Sequence, residues 1–257
     1  MPRSRPARPP GGDLSGLTGT LEAIPGAERY PARHDVREAV LVRDGARVPV
    51  VVKRVKRDFR QPDGKTRAER SEKVARYLLA HGIDTAEPLL VEVTPEESVL
   101  VVRKIEGAVQ VRAFFLRRDD PSLAAPSVGA TFEEVVAALG RLARRLHDAG
   151  VFFRDFSDGN VLVTGESPEP RLWLVDLDRA RIRTGPLGPF DRLRDLSRPG
   201  LNQAEDRLRL LEAYCTPGPV PPLMPALLTL LRMRVVGWNW LKRVARPWKR
   251  RGYPPGG

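Results

Sequence analysis

Asp155-Phe156-Ser157-Asp158-Gly159-Asn160, then Val161-Leu162-Val163, a polar connection from Thr164 to Arg171, and Leu172-Trp173-Leu174-Val175-Asp176-Leu177-Asp178 form the stretch that decides the reading of this chain. Two apolar, β-rich runs joined by a polar connection predict a hairpin. Asn160 opens the first run and Asp176 closes the second. Turn building is the common use of Asp, Asn and Gly. It explains Ser157-Asp158-Gly159, but not polar residues at both outer boundaries of the hairpin. The spacing D-x-x-x-x-N, with a further Asp at the end of an apolar strand, is what phosphoryl transfer from a nucleotide requires. One carboxylate orients the acceptor hydroxyl and takes its proton. A second carboxylate and an amide oxygen hold Mg²⁺, a hard cation that prefers oxygen ligands. Asp155, Asp176 and Asn160 fill these roles in that order. Asp178 is either a further metal ligand or a structural ion-pair former.

Immediately upstream, Thr131 stands three residues before Glu134, the spacing of a capping box. Phe132, Val135, Leu139, Leu142 and Leu146 follow at helical spacing, and Gly150 marks the end. This predicts a helix leading directly into the Asp155 loop. His147 lies in its last turn, where a structural hydrogen bond is expected rather than catalysis.

The segment Leu146-His147-Asp148-Ala149-Gly150-Val151-Phe152-Phe153-Arg154-Asp155 to Val163, with Leu174 to Ala180 after it, resembles the bacterial lipopolysaccharide kinase family. That family includes kinases acting on Kdo and heptose of the inner core. The resemblance rests on Leu-His and Gly before a His-Arg/Lys-Asp loop, then Asn and an apolar strand, then Asp beside Arg. This chain departs from the pattern at Phe153, where the family often has His. The resemblance implies an α+β, protein-kinase-like two-lobed fold with a small β-rich N-lobe and a mainly helical C-lobe. It also implies an ATP- and Mg²⁺-dependent phosphotransferase whose acceptor is a sugar hydroxyl on a lipid-linked anionic glycan. The expected division is a basic disordered tail over 1–16, the N-lobe over 17–104 and the C-lobe over 105–257.

The same resemblance implies a nucleotide-anchoring lysine on an N-lobe strand. Asp44-Gly45 is a hairpin turn signal, predicting strands from Arg37 to Arg43 and from Arg47 to Val55. Lys53, directly after Val50-Val51-Val52, is the candidate, with Lys56 its competitor. A helix is predicted from Thr66 to His81, ended by Gly82. Glu69 reads as its capping-box partner, so Glu72, one turn further in, is the expected partner of Lys53. Pro88 to Val93 and Ser98 to Lys104 are expected to close the sheet. Ile105 and Glu106 then fall where the hinge of such a fold contacts adenine through its backbone. Small-molecule kinases of this fold often have degenerate phosphate-covering loops, and no G-x-G-x-x-G stands here. The stretch after Asp178 also lacks Ala-Pro-Glu, which argues against a protein substrate.

Composition narrows the alternatives. A chain of 257 residues with 41% hydrophobic content can bury a sizeable core. The single cysteine, Cys215, excludes an internal disulfide framework and a multi-cysteine zinc site. Residues 1–12 are rich in Pro and Arg without an apolar stretch, and no run reaches the roughly 18 apolar residues of a spanning helix. A cytoplasmic location, peripheral on the inner face of the membrane, is expected.

The net charge of +12 is unevenly placed. Arg179, Arg181, Arg183, Arg192, Arg194 and Arg198 follow the hairpin and suit an anionic acceptor; the plain reading is a solvated run balanced by Asp191 and Asp195. No acidic residue follows Glu212, while Leu227, Leu231, Val235, Trp238, Leu241 and Val244 recur at helical spacing among arginines and lysines. That is the pattern of a helix on an anionic membrane surface, or of a helix packed into the core with a solvated basic face. The rival readings are an aminoglycoside- or choline-type kinase, a catalytically dead kinase-like binding protein, and a basic nucleic-acid binder. Retention of both metal ligands speaks against the second; nucleic acid is not the expected partner.

Overall fold

The structure is a computed structural model that describes residues 20–23, 35–56 and 64–245. The expected tail over 1–16 lies outside the described residues. The chain divides into two units, the first running to Ala108 and including a returning segment, Trp173–Ala180; the second holds Val109–Leu172 and everything from Arg181.

In the first unit, β1 (Thr20–Ala23), β2 (Asp35–Arg43), β3 (Ala46–Lys56), β4 (Pro88–Val93) and β5 (Glu97–Arg103) form an antiparallel sheet of order β1-β2-β3-β5-β4. The β2–β3 register closes at Arg43 opposite Ala46. Asp44 and Gly45 between them have φ of 51° and 77°. Two successive positive φ values make the primed turn whose twist matches the strands, which is why Asp-Gly forecast this hairpin. Leu41, Val50, Val52, Val99 and Val101 bury one face together, following the two-residue period of a strand. That period puts Lys53 on the opposite face from Val50 and Val52. Helix α1 (Arg67–Ala80) starts at Thr66, whose hydroxyl accepts from the Glu69 backbone while the Glu69 carboxylate accepts from the Thr66 backbone. Val74, Ala75 and Leu78 are its buried stripe. The returning segment is stitched to this unit by main-chain bonds: Leu174 N–H donates to the Asp84 carbonyl at 3.0 Å, and the buried Thr85 hydroxyl donates to the Leu174 carbonyl at 2.7 Å.

The second unit contains β6 (Val109–Gln110), α2 (Val111–Asp119), α3 (Phe132–Asp148), β7 (Val151–Phe152), β8 (Val161–Thr164) and β9 (Arg171–Leu174), where the chain leaves the unit. It continues with β10 (Arg181–Ile182), α4 (Pro189–Leu196), α5 (Ala204–Cys215) and α6 (Met224–Ala245). β8 and β9 are neighbours in a sheet of order β6-β8-β9, so the predicted hairpin forms. Helix α3 begins with the capping box of Thr131 and Glu134 and buries Val135, Leu139, Leu142 and Leu146. Gly140 lets α3 and α5 meet closely: a Cβ there would stand 2.4 Å from the Leu210 carbonyl oxygen. Gly150, with φ of 72°, turns the chain from α3 into β7, and a Cβ there would stand 2.4 Å from the Gly185 carbonyl oxygen.

The face that α6 buries differs from the expected stripe. Leu228 is fully buried and Leu231, Arg232 and Val235 are half-buried, whereas Leu227 is exposed. The unit thus takes up residues at spacings of three to four starting from 228, leaving Leu223, Leu227, Leu230, Met233 and Val236 exposed. The side chains of Trp238, Leu241 and Val244 lie outside the described set, as do residues 246–257.

Candidate active site

The Asp155 loop runs from Phe153 to Asn160 between β7 and β8 in the second unit. Phe153 and Phe156 are fully buried and meet edge to face, with ring centroids 6.0 Å apart. These two rings anchor the loop and leave Asp155 half-buried between them in sequence. Its main chain folds on itself: Asp155 N–H donates to the Phe153 carbonyl and Ser157 N–H to the Asp155 carbonyl, both at 2.7 Å. The Asn160 side-chain amide donates to the same Asp155 carbonyl at 2.9 Å. Since its nitrogen is directed at the loop, the amide oxygen of Asn160 is the atom available to an outside partner.

Arg154 sits in the left-handed region, with φ of 64°, which for a non-glycine residue has to be held by its surroundings. Asp195 holds it. Its carboxylate accepts from Phe153 N–H at 2.8 Å and from Arg154 N–H at 3.0 Å, and it is buried. His147 stands 3.7 Å from that carboxylate through Nε2, and its Nδ1 is 3.0 Å from the Tyr214 hydroxyl. Arg192 donates to the Tyr214 hydroxyl at 2.9 Å and to Asp148 at 2.8 Å. Asp195 is therefore not a surface counter-charge, as the charge run had suggested. It is a buried acceptor for the loop backbone, and Arg192 is likewise structural. Phe153 packs where the family often has His, and its backbone N–H carries the tie to Asp195. Replacing Asp195 by Ala strands two main-chain donors. This should cost about 2–4 kcal/mol of stability and lower turnover about ten- to a hundredfold through misplacement of Asp155. Asp195→Asn, which keeps one acceptor oxygen, should lose less of both. Thermal unfolding together with separate kcat and nucleotide-affinity measurements checks this, because unchanged nucleotide affinity distinguishes loop positioning from general damage.

The first unit assembles the other half of the predicted set. Lys53 donates from its ammonium to the Asp176 carboxylate, 123 residues away. Asp176 follows β9 in the left-handed conformation, with φ of 58°; such a residue turns the chain sharply. Asp178, two residues further on in a short 3₁₀ turn, is buried. Burial pushes its carboxyl above the usual carboxylate range; Lys53 opposes this and the neighbouring Asp176 carboxylate adds to it. A cation bound beside Asp176 and Asp178 would relieve both burial and repulsion.

Glu72 does not join this group. It pairs with Arg76 at 2.9 Å, one helical turn on in α1, a local partner of the favoured i, i+4 spacing. The expected Lys53–Glu72 pair is corrected to Lys53–Asp176. Lys56, the competitor of Lys53, is exposed at the end of β3. Ile105 is half-buried and Glu106 exposed, leading into a turn at Gly107 with φ of 63°.

The donor set suits Mg²⁺. Asp176 and Asp178 in the first unit offer carboxylate oxygens only, and among the described residues no group of three or more His, Cys, Asp or Glu side chains converges as a metal cage. Mg²⁺ in phosphoryl-transfer sites takes one or two carboxylates and draws its other ligands from water and phosphate.

A family model described as the lipopolysaccharide kinase (Kdo/WaaP) family matches residues 34–210. The 3-deoxy-D-manno-octulosonic acid kinase of Mannheimia succiniciproducens is 31% identical over 72 residues, which are 28% of this chain and 30% of that protein. The match thus spans less than a third of that relative's length. The solved structure of WaaP in complex with acyl carrier protein superposes with a TM-score of 0.58 at 20% identity, covering 84% of this chain and 89% of that one. The fold is accordingly α+β and protein-kinase-like. With the family pattern extending over most of its length, the chain belongs to the lipopolysaccharide kinase (Kdo/WaaP) family, a family of phosphotransferases.

Proposed function

We propose that this protein transfers the γ-phosphoryl group of ATP to a sugar hydroxyl of a lipid-linked anionic glycan, the lipopolysaccharide inner core. The observation that carries the reading is the loop tied to Asp195, which holds the Asp155 carboxylate on a pinned backbone as a proton-accepting group needs. Asp155 orients the acceptor hydroxyl and takes its proton. Lys53 supplies a point charge for the nucleotide phosphates, and its ion pair with Asp176 keeps it in place before nucleotide arrives. Asp176, Asp178 and Asn160 hold Mg²⁺, which when bound neutralises charge on the transferring phosphoryl group. Ile105 and Glu106 present backbone groups to adenine.

Phosphate transfer from labelled ATP to purified lipopolysaccharide precursors tests the reading. Mg²⁺-dependent labelling of the inner-core sugar is expected. Labelling of an aminoglycoside or of choline instead, or of no acceptor at all, would overturn it.

We further propose that the protein works peripherally on the inner face of the cytoplasmic membrane. Among the described residues no helix is long and apolar enough to cross a membrane. Support comes from α6, where Leu230 and Met233 are 64% and 66% exposed beside Leu223, Leu227 and Val236, in a segment without acidic residues. Each basic residue near an anionic surface contributes about 1 kcal/mol. The full chain should therefore co-sediment with anionic vesicles at low salt and release at high salt. A version with Arg243, Arg246, Lys249 and Arg250 changed to Glu should stay in solution. Equal binding by the two proteins, or binding by neither, rejects a membrane role for the helix.

A further inference from the structure

The second unit contains a cavity of about 440 Å³ with Asp155 on its wall, within the size range of small-ligand pockets. Three arginines from distant parts of the sequence line it: Arg112 of α2, Arg198 just after α4, and Arg232 of α6. Their chemistry is not explained by the fold. Arg112 rests against the Asp155 loop: its Nε donates to Asp158 at 3.1 Å, and one terminal nitrogen lies 2.9 Å from where a Cβ on Gly159 would stand. Arg232 is half-buried and touches neutral acceptors at long distance, the Arg198 carbonyl at 3.4 Å and the Asn202 side-chain oxygen at 3.3 Å. Its Nε is buried with no hydrogen-bond partner among the described residues. Within that set neither Arg198 nor Arg232 forms an ion pair. Burial lowers the Arg232 pKa, opposed at longer range by Asp158 and Asp119. Those two carboxylates are already engaged, Asp158 by Arg112 and Asp119 by the Asn202 amide at 2.9 Å. A buried cation left with unmet donors costs stability, and an arginine fork matches a carboxylate or a phosphate.

The geometry points to an anion subsite for the acceptor: Arg198 and Arg232, assisted by Arg112, hold a carboxylate or phosphate already present on the sugar, fixing which hydroxyl meets Asp155. This rests on the kinase reading and adds its specificity determinants, including a residue of α6. The helix thus serves the pocket through Arg232 while its opposite face, with Leu230 and Met233, is exposed.

The test measures binding separately from transfer. Three probes are titrated into the full chain: an intact lipopolysaccharide precursor, the same precursor dephosphorylated, and the same precursor with its sugar carboxyls reduced. Wild type should bind the intact probe at least about tenfold more tightly than one of the two altered probes, and which one is weakened identifies the anion. Arg198→Ala and Arg232→Met should each lose about ten- to a hundredfold for the intact probe. They should lose nothing further for the probe lacking the engaged anion, and Mg-ATP affinity should not change. Because Arg232 is half-buried with no ion pair among the described residues and its Nε lacks an acceptor, Arg232→Met should also raise the melting temperature. Equal binding of all probes by wild type, binding of none, equal losses across probes, or a loss of Mg-ATP affinity would each overturn the subsite. The kinase reading fails separately, if bound precursor receives no phosphate; transfer indifferent to both arginines sinks the subsite alone.

Discussion

Asp155→Asn is expected to lower phosphoryl transfer about a thousandfold while leaving Mg-ATP affinity close to that of the wild type. The loop bonds described for this residue are made by its main chain: its N–H to the Phe153 carbonyl, and its carbonyl to Ser157 N–H and the Asn160 amide. Asparagine preserves all of these and fills nearly the same volume. What it lacks is a basic oxygen to receive the acceptor's proton, and its amide nitrogen presents a donor where an acceptor is needed. Single-turnover transfer, with calorimetry of Mg-ATP on the same preparation, separates the two effects. Turnover near that of the wild type would remove Asp155 from the chemistry.

Asp176→Ala should reduce Mg-ATP affinity at least about tenfold and turnover about a hundredfold or more, since one substitution removes the proposed metal ligand and the counter-charge of Lys53. A second effect has to be separated from these. Asp176 occupies left-handed backbone at φ 58°, where Ala is strained by about 1–2 kcal/mol and Asn is tolerated. Asp176→Asn is the matched control: it retains the turn but not the charge. If both variants lose Mg-ATP affinity alike, charge is responsible; if only Ala does, the turn is. With the Asp176 charge gone, Asp178 loses one of the influences that raise its pKa. The optimum for Mg-ATP binding should then shift toward lower pH, because the remaining carboxylate ionises sooner as pH rises. Unchanged Mg-ATP affinity in both variants would reject the metal role.

Features governed by neighbours in the chain were legible in the sequence. The Thr66–Glu69 and Thr131–Glu134 boxes and the Asp44-Gly45 turn each need only a few consecutive residues, and all three form. The Asp155 loop and the two-strand hairpin were readable for the same reason. What escaped were partnerships across the fold. Glu72 was assigned to Lys53 although Arg76, one turn away, offers it a cheaper partner; Lys53 instead meets Asp176, brought back by the returning segment. Asp195 looked like one more charge in an arginine-rich run because its burial depends on α3, β7 and α4 meeting around it. Arg232 looked like one of many basic residues in a helix, since only its packed neighbours distinguish it from Arg234. A basic residue inside an otherwise apolar stripe was the available clue: Arg232 sits between Leu228 and Val235 at helical spacing.

The way Trp173–Ala180 rejoins the first unit bears on synthesis as well as on catalysis. A ribosome completes all five strands of that sheet by Arg103, yet the acceptor for Thr85 and the donor to the Asp84 carbonyl arrive only with Leu174. The nascent first unit must therefore wait, its edge unfinished, while the helix-rich middle of the chain is made. Domains that usually fold in order of emergence are here interlocked, so neither unit corresponds to a single continuous stretch of messenger. A fragment cut at Ala108 would carry Lys53 but neither Asp176 nor the stitch that seats it. Exchanging units between relatives would require three crossovers, one at about Ala108 and one on either side of the returning octapeptide, rather than one.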